Sequence, residues 1–128
     1  MSFKAKFKAA GIERNILSVD FGMLQQTDPT GRPSSIARGG KIHLTVEGTG
    51  ATDLFEWMTN SFERKDGTVT FVKRDSDATL KELKFKEAYI VKYTEDFDST
   101  GENPLTESFV LSAKEIEMGN ASHKNEWV

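Results

Sequence analysis

The stretch "LKELKFKEAYIVKYTEDF", residues 80–97, alternates apolar and polar side chains over most of its length. Leu83 and Phe85 share a parity with Tyr89, Val91 and Tyr93, and Glu87 interrupts the series. A period of two marks a β-strand with one face in a core. Around Ala88 and Ile90 the opposite parity turns apolar as well, and "TESFVLSAKEIEM", residues 106–118, does the same at Phe109, Val110 and Leu111. A strand apolar on both faces needs cover on both. One face is expected to meet a barrel core, and the other a helix or a neighbouring subunit. Ala88, Ile90 and Val110 are accordingly expected near lateral contacts between subunits.

The same alternation recurs upstream. Phe3, Ala5, Phe7 and Ala9 oppose Lys4, Lys6 and Lys8, and Gly11 turns the chain. Leu17, Val19, Phe21 and Met23 then alternate with Ser18, Asp20 and Gly22, and Ile42, Leu44 and Val46 with Lys41, His43, Thr45 and Glu47. In "GTVTFVKR", residues 67–74, Val69 and Phe71 face in, and Asp75 and Asp77 provide the next turn. Only "TGATDLFEWMTNSF", residues 49–62, changes period: Leu54, Phe55, Trp57, Met58 and Phe62 fall at the three-and-four spacing of a helix face. Thr52 or Asp53 can cap its start, with Glu56 following, and the helix is expected over residues 52–62. The sum is six to eight antiparallel strands and one short helix. A closed or nearly closed antiparallel β-barrel suits this best, because closure disposes of sheet edges. Residues 1–128 read as a single domain. Trp127 and Val128 are costly to leave in water, so a docked C-terminus is expected.

Between the second and third strands runs "QQTDPTGRPSSIARGG", residues 25–40, with little that a core would take. Loops of this length inside small domains are uncommon and tend to be functional or disordered. Pro29 and Pro33 fix φ, Gly31 admits a turn, and Arg32 can pair with an acid or a carbonyl across a contact. A protruding loop over about residues 25–38 is therefore expected to have a shape of its own.

The totals narrow the function. Hydrophobic residues make up 37% of the 128, with nine Phe, enough for a filled core. There is no Cys, hence no disulfide or thiolate site. The net charge of −3, with acids and bases interspersed, argues against nucleic acid as a partner. No segment approaches the ~20 apolar residues of a membrane span, and "MSFKAKFKAAG" lacks the apolar run of a secretory signal.

The search for catalytic chemistry yields nothing, and no enzyme activity is expected. The two histidines, His43 and His123, sit on polar parity and in the polar tail, and without Cys they make a zinc site improbable. No phosphate-cradling glycine pattern is present, so no cofactor is expected. "DFDSTGENPLTE" places Asp96, Asp98, Thr100, Gly101 and Glu107 at the spacing of a calcium loop. Its flanks are strands, Pro104 lies inside it and it is single, so a hairpin turn is the better reading. Asp75 and Asp77 read as turn residues, and Trp57 and Met58 as packing.

Taken in order, "TDPTGRPSS", "GGKIHLTVEG", "LFEWM", "GTVTFVKRDSDA", "ELKFKEAYIVKYTEDFD" and "MGNASHKNEWV" make the chain resemble, over nearly its whole length, the Hcp/TssD tube proteins of type VI secretion systems. The nearest likeness is to the branch found in Bacteroidetes. The resemblance implies a β-barrel flanked by a helix, assembled as a homo-hexamer into rings that stack into a hollow tube. The tube would sit inside a contractile sheath with baseplate and spike components, carry effector proteins in its lumen, and leave the bacterial cytoplasm through the machine without a signal peptide. It further implies that the long loop, here Asp28, Gly31, Arg32, Pro33, Ser34 and Ser35, contributes to contacts between rings. Two other readings stand beside it. One is a tail-tube subunit of a phage-like extracellular injection particle, and the other is a monomeric barrel holding a small apolar ligand, which the nine Phe oppose.

Overall fold

Seven strands and one helix form among residues 3–76 and 78–125, the part of the chain that the computed structural model describes. They are β1 (Phe3–Ala9), β2 (Ile12–Phe21), β3 (Lys41–Glu47), α1 (Asp53–Thr59), β4 (Lys65–Lys73), β5 (Thr79–Phe97), β6 (Leu105–Met118) and β7 (Ala121–Lys124). Every pairing is antiparallel, in the order β3-β2-β1-β4-β5-β6-β7. β3 also pairs with β6, from Lys41 opposite Ser112 to Glu47 opposite Thr106, and this closes six strands into a barrel. β7 continues along the same edge of β6, from Glu115 opposite Lys124 to Met118 opposite Ala121. The barrel and its single helix match the fold class that the alternation implies.

Ala9 faces Ile12 across a two-residue turn in which Ala10 and Gly11 both have positive φ, 47° and 89°. Such turns follow the right-handed twist of the strands they join. β2 thus begins at Ile12, ahead of the Leu17 that sequence alternation suggests, and ends at Phe21, before Met23. A bulge between Ile16 and Ser18 shifts its parity, so Val19 and Phe21 pack on the core while Leu17 stays 41% exposed.

The doubly apolar character of β5 has the same cause. Leu83 and Phe85 point inward, Glu87 takes φ 51°, and Ala88 and Ile90 are the next inward residues. A second register shift between Ile90 and Lys92 leaves Val91 as the extra residue and turns Tyr93 back towards the core. Each bulge inserts one residue and moves the following side chains to the other face. Ala88 is 0% and Ile90 6% exposed, both inside the barrel of one chain. The expectation that they lie at lateral contacts is corrected: their own core accounts for them. Val110 is half-buried and points outward between inward Phe109 and Leu111.

Aromatic rings fill the interior. Phe7 stacks on Phe85 at 5.9 Å between centroids and meets Phe109 edge-on at 5.3 Å, an arrangement that adds to their area burial. Gly67 lies under this cluster, where a Cβ would meet Phe85 Cζ at 2.6 Å, Ala9 Cβ at 2.8 Å and the Lys8 carbonyl oxygen. A filled interior is at odds with a barrel that holds a small ligand inside.

α1 is shorter than the residue spacing suggests. Leu54 and Trp57 face the core, but the Trp57 indole N–H donates to the Glu63 carbonyl at 3.0 Å and draws the following chain back. The helix ends at Thr59, and Phe62 is left 84% exposed. Asp77, Trp127 and Val128 lie outside the described residues.

Candidate assembly surfaces

Two regions concern assembly: the arm between β2 and β3, and the seat that holds α1 on the barrel. The arm is built from local hydrogen bonds. At its root Leu24 and Arg38 exchange backbone bonds of 2.8 and 2.7 Å, and further out Thr27 bridges Pro33. At its tip the Asp28 N–H donates to the Arg32 carbonyl at 2.9 Å, while Asp28 Oδ1 accepts from Thr30 N at 2.9 Å, Thr30 Oγ1 at 2.7 Å and Arg32 N at 3.1 Å. These donors, the Thr30 hydroxyl foremost, hold the Asp28 carboxyl below its ordinary range. Gly31 supplies the φ of 88° that the tip needs. Ser34 N donates to the Gln26 carbonyl at 2.7 Å, and Ser35 Oγ accepts from Gln26 N at 3.0 Å. The structure thus brings Asp28, Gly31, Arg32, Pro33, Ser34 and Ser35 together on one ordered projection. Its apolar side chains stay in solvent: Met23 is 53% exposed, Leu24 66% and Ile36 76%.

The seat of α1 was not singled out from the sequence. Arg14, 6% exposed, reaches from β2 to Asp53 at the start of α1 and to Glu107 on β6, with Nε 3.5 Å from Glu107 Oε1. Glu107, 1% exposed, also accepts from the Tyr93 hydroxyl at 2.6 Å. Burial, and then the Glu107 carboxylate, push the Tyr93 phenol well above its ordinary range. Asp53 Oδ1 additionally accepts from Leu54 N at 2.9 Å. The cluster pins helix and barrel together, and among the described residues no buried side-chain N or O lacks a partner. The signal lay in the alternation: Arg14 shares the apolar parity of Ile12 and Ile16, and Glu107 that of Phe109 and Leu111.

Glu107 is therefore engaged in a buried ion pair and cannot close a calcium loop. Asp98 instead accepts from Thr100 N and Oγ1 at 3.0 and 2.7 Å, as a turn residue. Among the described residues no group of three or more His, Asp or Glu is arranged to hold a metal. His43 is exposed opposite Val110, and His123 shares a hydrogen bond of 3.1 Å with Asn125. On the outer face Val110 is flanked in register by His43 and Lys92, and Tyr89 carries the Arg64 guanidinium 5.5 Å above its ring.

A filled barrel that clamps its helix internally and holds out an ordered, solvent-facing arm has the architecture of a structural subunit. The chain belongs to the family described as Hemolysin coregulated protein Hcp (TssD), which it matches over residues 1–128, and it is accordingly an Hcp tube protein of type VI secretion. Among solved structures it is similar to Hcp1 from Flavobacterium johnsoniae, with 56% identity and a TM-score of 0.92 over 95% of this chain and 99% of that one. Hcp1 from Salmonella typhimurium shares the fold at 12% identity, TM-score 0.79, over 97% of this chain and 95% of that one. So does the sheath/tube terminator of PVC, an extracellular contractile injection system, at 20% identity, TM-score 0.60, over 91% and 93%. Comparison with curated protein sequences gave no match.

Proposed function

We propose that six copies of this chain close into a ring through heterologous contacts, and that rings stack through the arm of residues 25–38. The stack is the hollow inner tube that a contractile sheath expels, with baseplate and spike components at its end and effector proteins in its lumen. The subunit is made in the bacterial cytoplasm and passes out with the tube, and performs no reaction itself. The observation that carries this reading is the arm. Its hydrogen bonds fix its shape while Leu24 and Ile36 remain 66% and 76% exposed, surface that favours burial against another copy. Of the residues expected at lateral contacts, Val110 alone keeps that role, since it faces outward. A tail-tube subunit of an extracellular injection particle shares the fold, and the 56% identity to an Hcp1 favours the type VI machine.

Sedimentation and electron micrographs test this. A ring of six 14.3 kDa chains runs near 86 kDa. Wild type should give rings and short stacks, Ile36→Asp rings without stacks, and Val110→Asp folded single chains. A lone 14.3 kDa species at every concentration overturns the proposal. Rings formed by Val110→Asp overturn its lateral assignment.

A further inference from the structure

The barrel has an apolar groove at one end and an exposed phenyl ring at the other. The groove, of about 290 Å³, lies between the root of the arm and β7 and is lined by Phe21, Met23, Leu83, Ile116, Met118 and His123. The ring is that of Phe97, 73% exposed where β5 turns towards β6. We propose that the groove receives Phe97 of a second copy, so that the arm end of one subunit docks head-to-tail on the hairpin end of the next. This rests on the stacking through the arm put forward above, and it names the surface that the arm end meets.

Three observations carry it. The first is position. Phe97 pairs with Leu105 at the start of β6, whereas the groove begins at Ile116 of the same strand. At ~3.3 Å per residue the stretch between them spans roughly 35 Å, so a chain cannot fill its own groove with this ring. Two complementary patches at opposite ends of a subunit make a heterologous contact, and one that does not close on itself repeats as a stack.

The second is fit. An apolar cavity of about 150 Å³ suffices to bind benzene, so this groove has room for a phenyl group and part of the chain that carries it. Met23 and Met118 in its walls are side chains that adapt to an aromatic ring and contact it favourably.

The third is charge. Phe97 stands among Glu95, Asp96, Asp98 and Glu102, all exposed, and residues 95–104 hold no Lys or Arg. The arm carries Arg32 and Arg38, both exposed, while its one acid, Asp28, is engaged within the tip. No ion pair among the described residues uses either arginine or any of these four acids. Arg38 bonds through its backbone to Leu24, the neighbour of Met23, and so stands beside the groove. Phe62 is more exposed, at 84%, but the charges that follow it, Glu63 and Arg64, are already paired with Lys65 and Glu87. Charge therefore singles out Phe97 as the ring that an arginine-bearing end attracts.

The test follows ring–ring association by sedimentation velocity and electron microscopy, with urea unfolding as the check on the fold. Phe97→Ala should form rings, keep the wild-type urea midpoint, and need about tenfold more protein or higher to stack. Glu95 shares a strand face with Phe97. Arg38→Glu and Glu95→Arg should each weaken stacking, and the two together should recover part of it. The chain has no Cys, so a mixture of Phe97→Cys and Met23→Cys chains should give, on mild oxidation, a disulfide-linked pair that neither gives alone. Phe97→Ala rings that stack at the wild-type concentration overturn the proposal. So does Phe97→Cys that cross-links to itself as fast as in the mixture, which makes the contact hairpin to hairpin. If Ile36→Asp abolishes stacking and Phe97→Ala does not, only the docking of Phe97 falls; if wild-type rings never stack, the stacking falls with it.

Discussion

The barrel wall and the arm hold their shapes by different means. In the wall, apolar side chains vanish from solvent: Phe7, Ile42, Val46 and Leu111 are each 0% exposed. The arm buries almost nothing and relies on hydrogen bonds between residues ten or fewer apart in sequence around Asp28, Ser34 and Ser35. A wall made this way is stable on its own account, because burial scales with area removed from water. An arm made this way has its conformation fixed in advance but its apolar surface still to be covered, which lowers the ordering cost of a later contact.

The sharpest way to break this contrast is inside the wall. Arg14→Met leaves Glu107 buried without its cation and is expected to cost about 3–5 kcal/mol in urea unfolding. Arg14→Met combined with Glu107→Leu should recover part of that loss, since apolar replacements of a buried pair can match it. Next comes Tyr93→Phe, which removes the donor to Glu107 Oε2 and should cost about 1.5–3 kcal/mol by the same measurement. The Tyr93 phenol has a raised folded pKa, so its contribution is whole below the ordinary tyrosine value of 10.0 and fades as pH climbs past the higher folded value. Alkaline unfolding curves of wild type and Tyr93→Phe should therefore converge.

The arm should answer differently. Asp28→Ala is expected to leave the urea-unfolding midpoint where it is, yet to speed amide exchange at Thr30 and Arg32. Acidification is the mildest probe. The Asp28 pKa is depressed, so its bracing is complete above the ordinary value of 3.8 and is lost as pH falls through the lower folded value. Exchange at the same two amides, normalised for intrinsic acid rates, should rise in that window while the wall's amides stay protected. Equal loosening of wall and arm in either experiment would erase the distinction.

Much of this was legible in residue order. Period-two alternation located most strands and the barrel, because inside and outside impose opposite chemistry on successive residues. What alternation could not carry was the count across a bulge. Phe85, Ala88, Ile90 and Tyr93 read as two apolar faces when they are one inward face displaced twice, by Glu87 and by the exposed Val91. The start of β2 was hidden for a related reason: Arg14 stands where an apolar residue would continue the pattern, and only the fold brings Asp53 and Glu107 to meet it. The arm's residues were legible as a turn-rich insertion. That they form one hydrogen-bonded projection depends on Asp28 and Ser35 side chains finding backbone partners, which composition does not reveal.

The seam between β3 and β6 joins residues some sixty to seventy positions apart. During synthesis β3 waits with a bare edge while the helix, β4 and β5 emerge, and a waiting edge invites strands from sister chains. Only when residues 106–112 have left the ribosome can the cylinder zip shut. A newborn copy therefore becomes a presentable building block late, and a polysome crowded with half-made copies is where mispairing would begin.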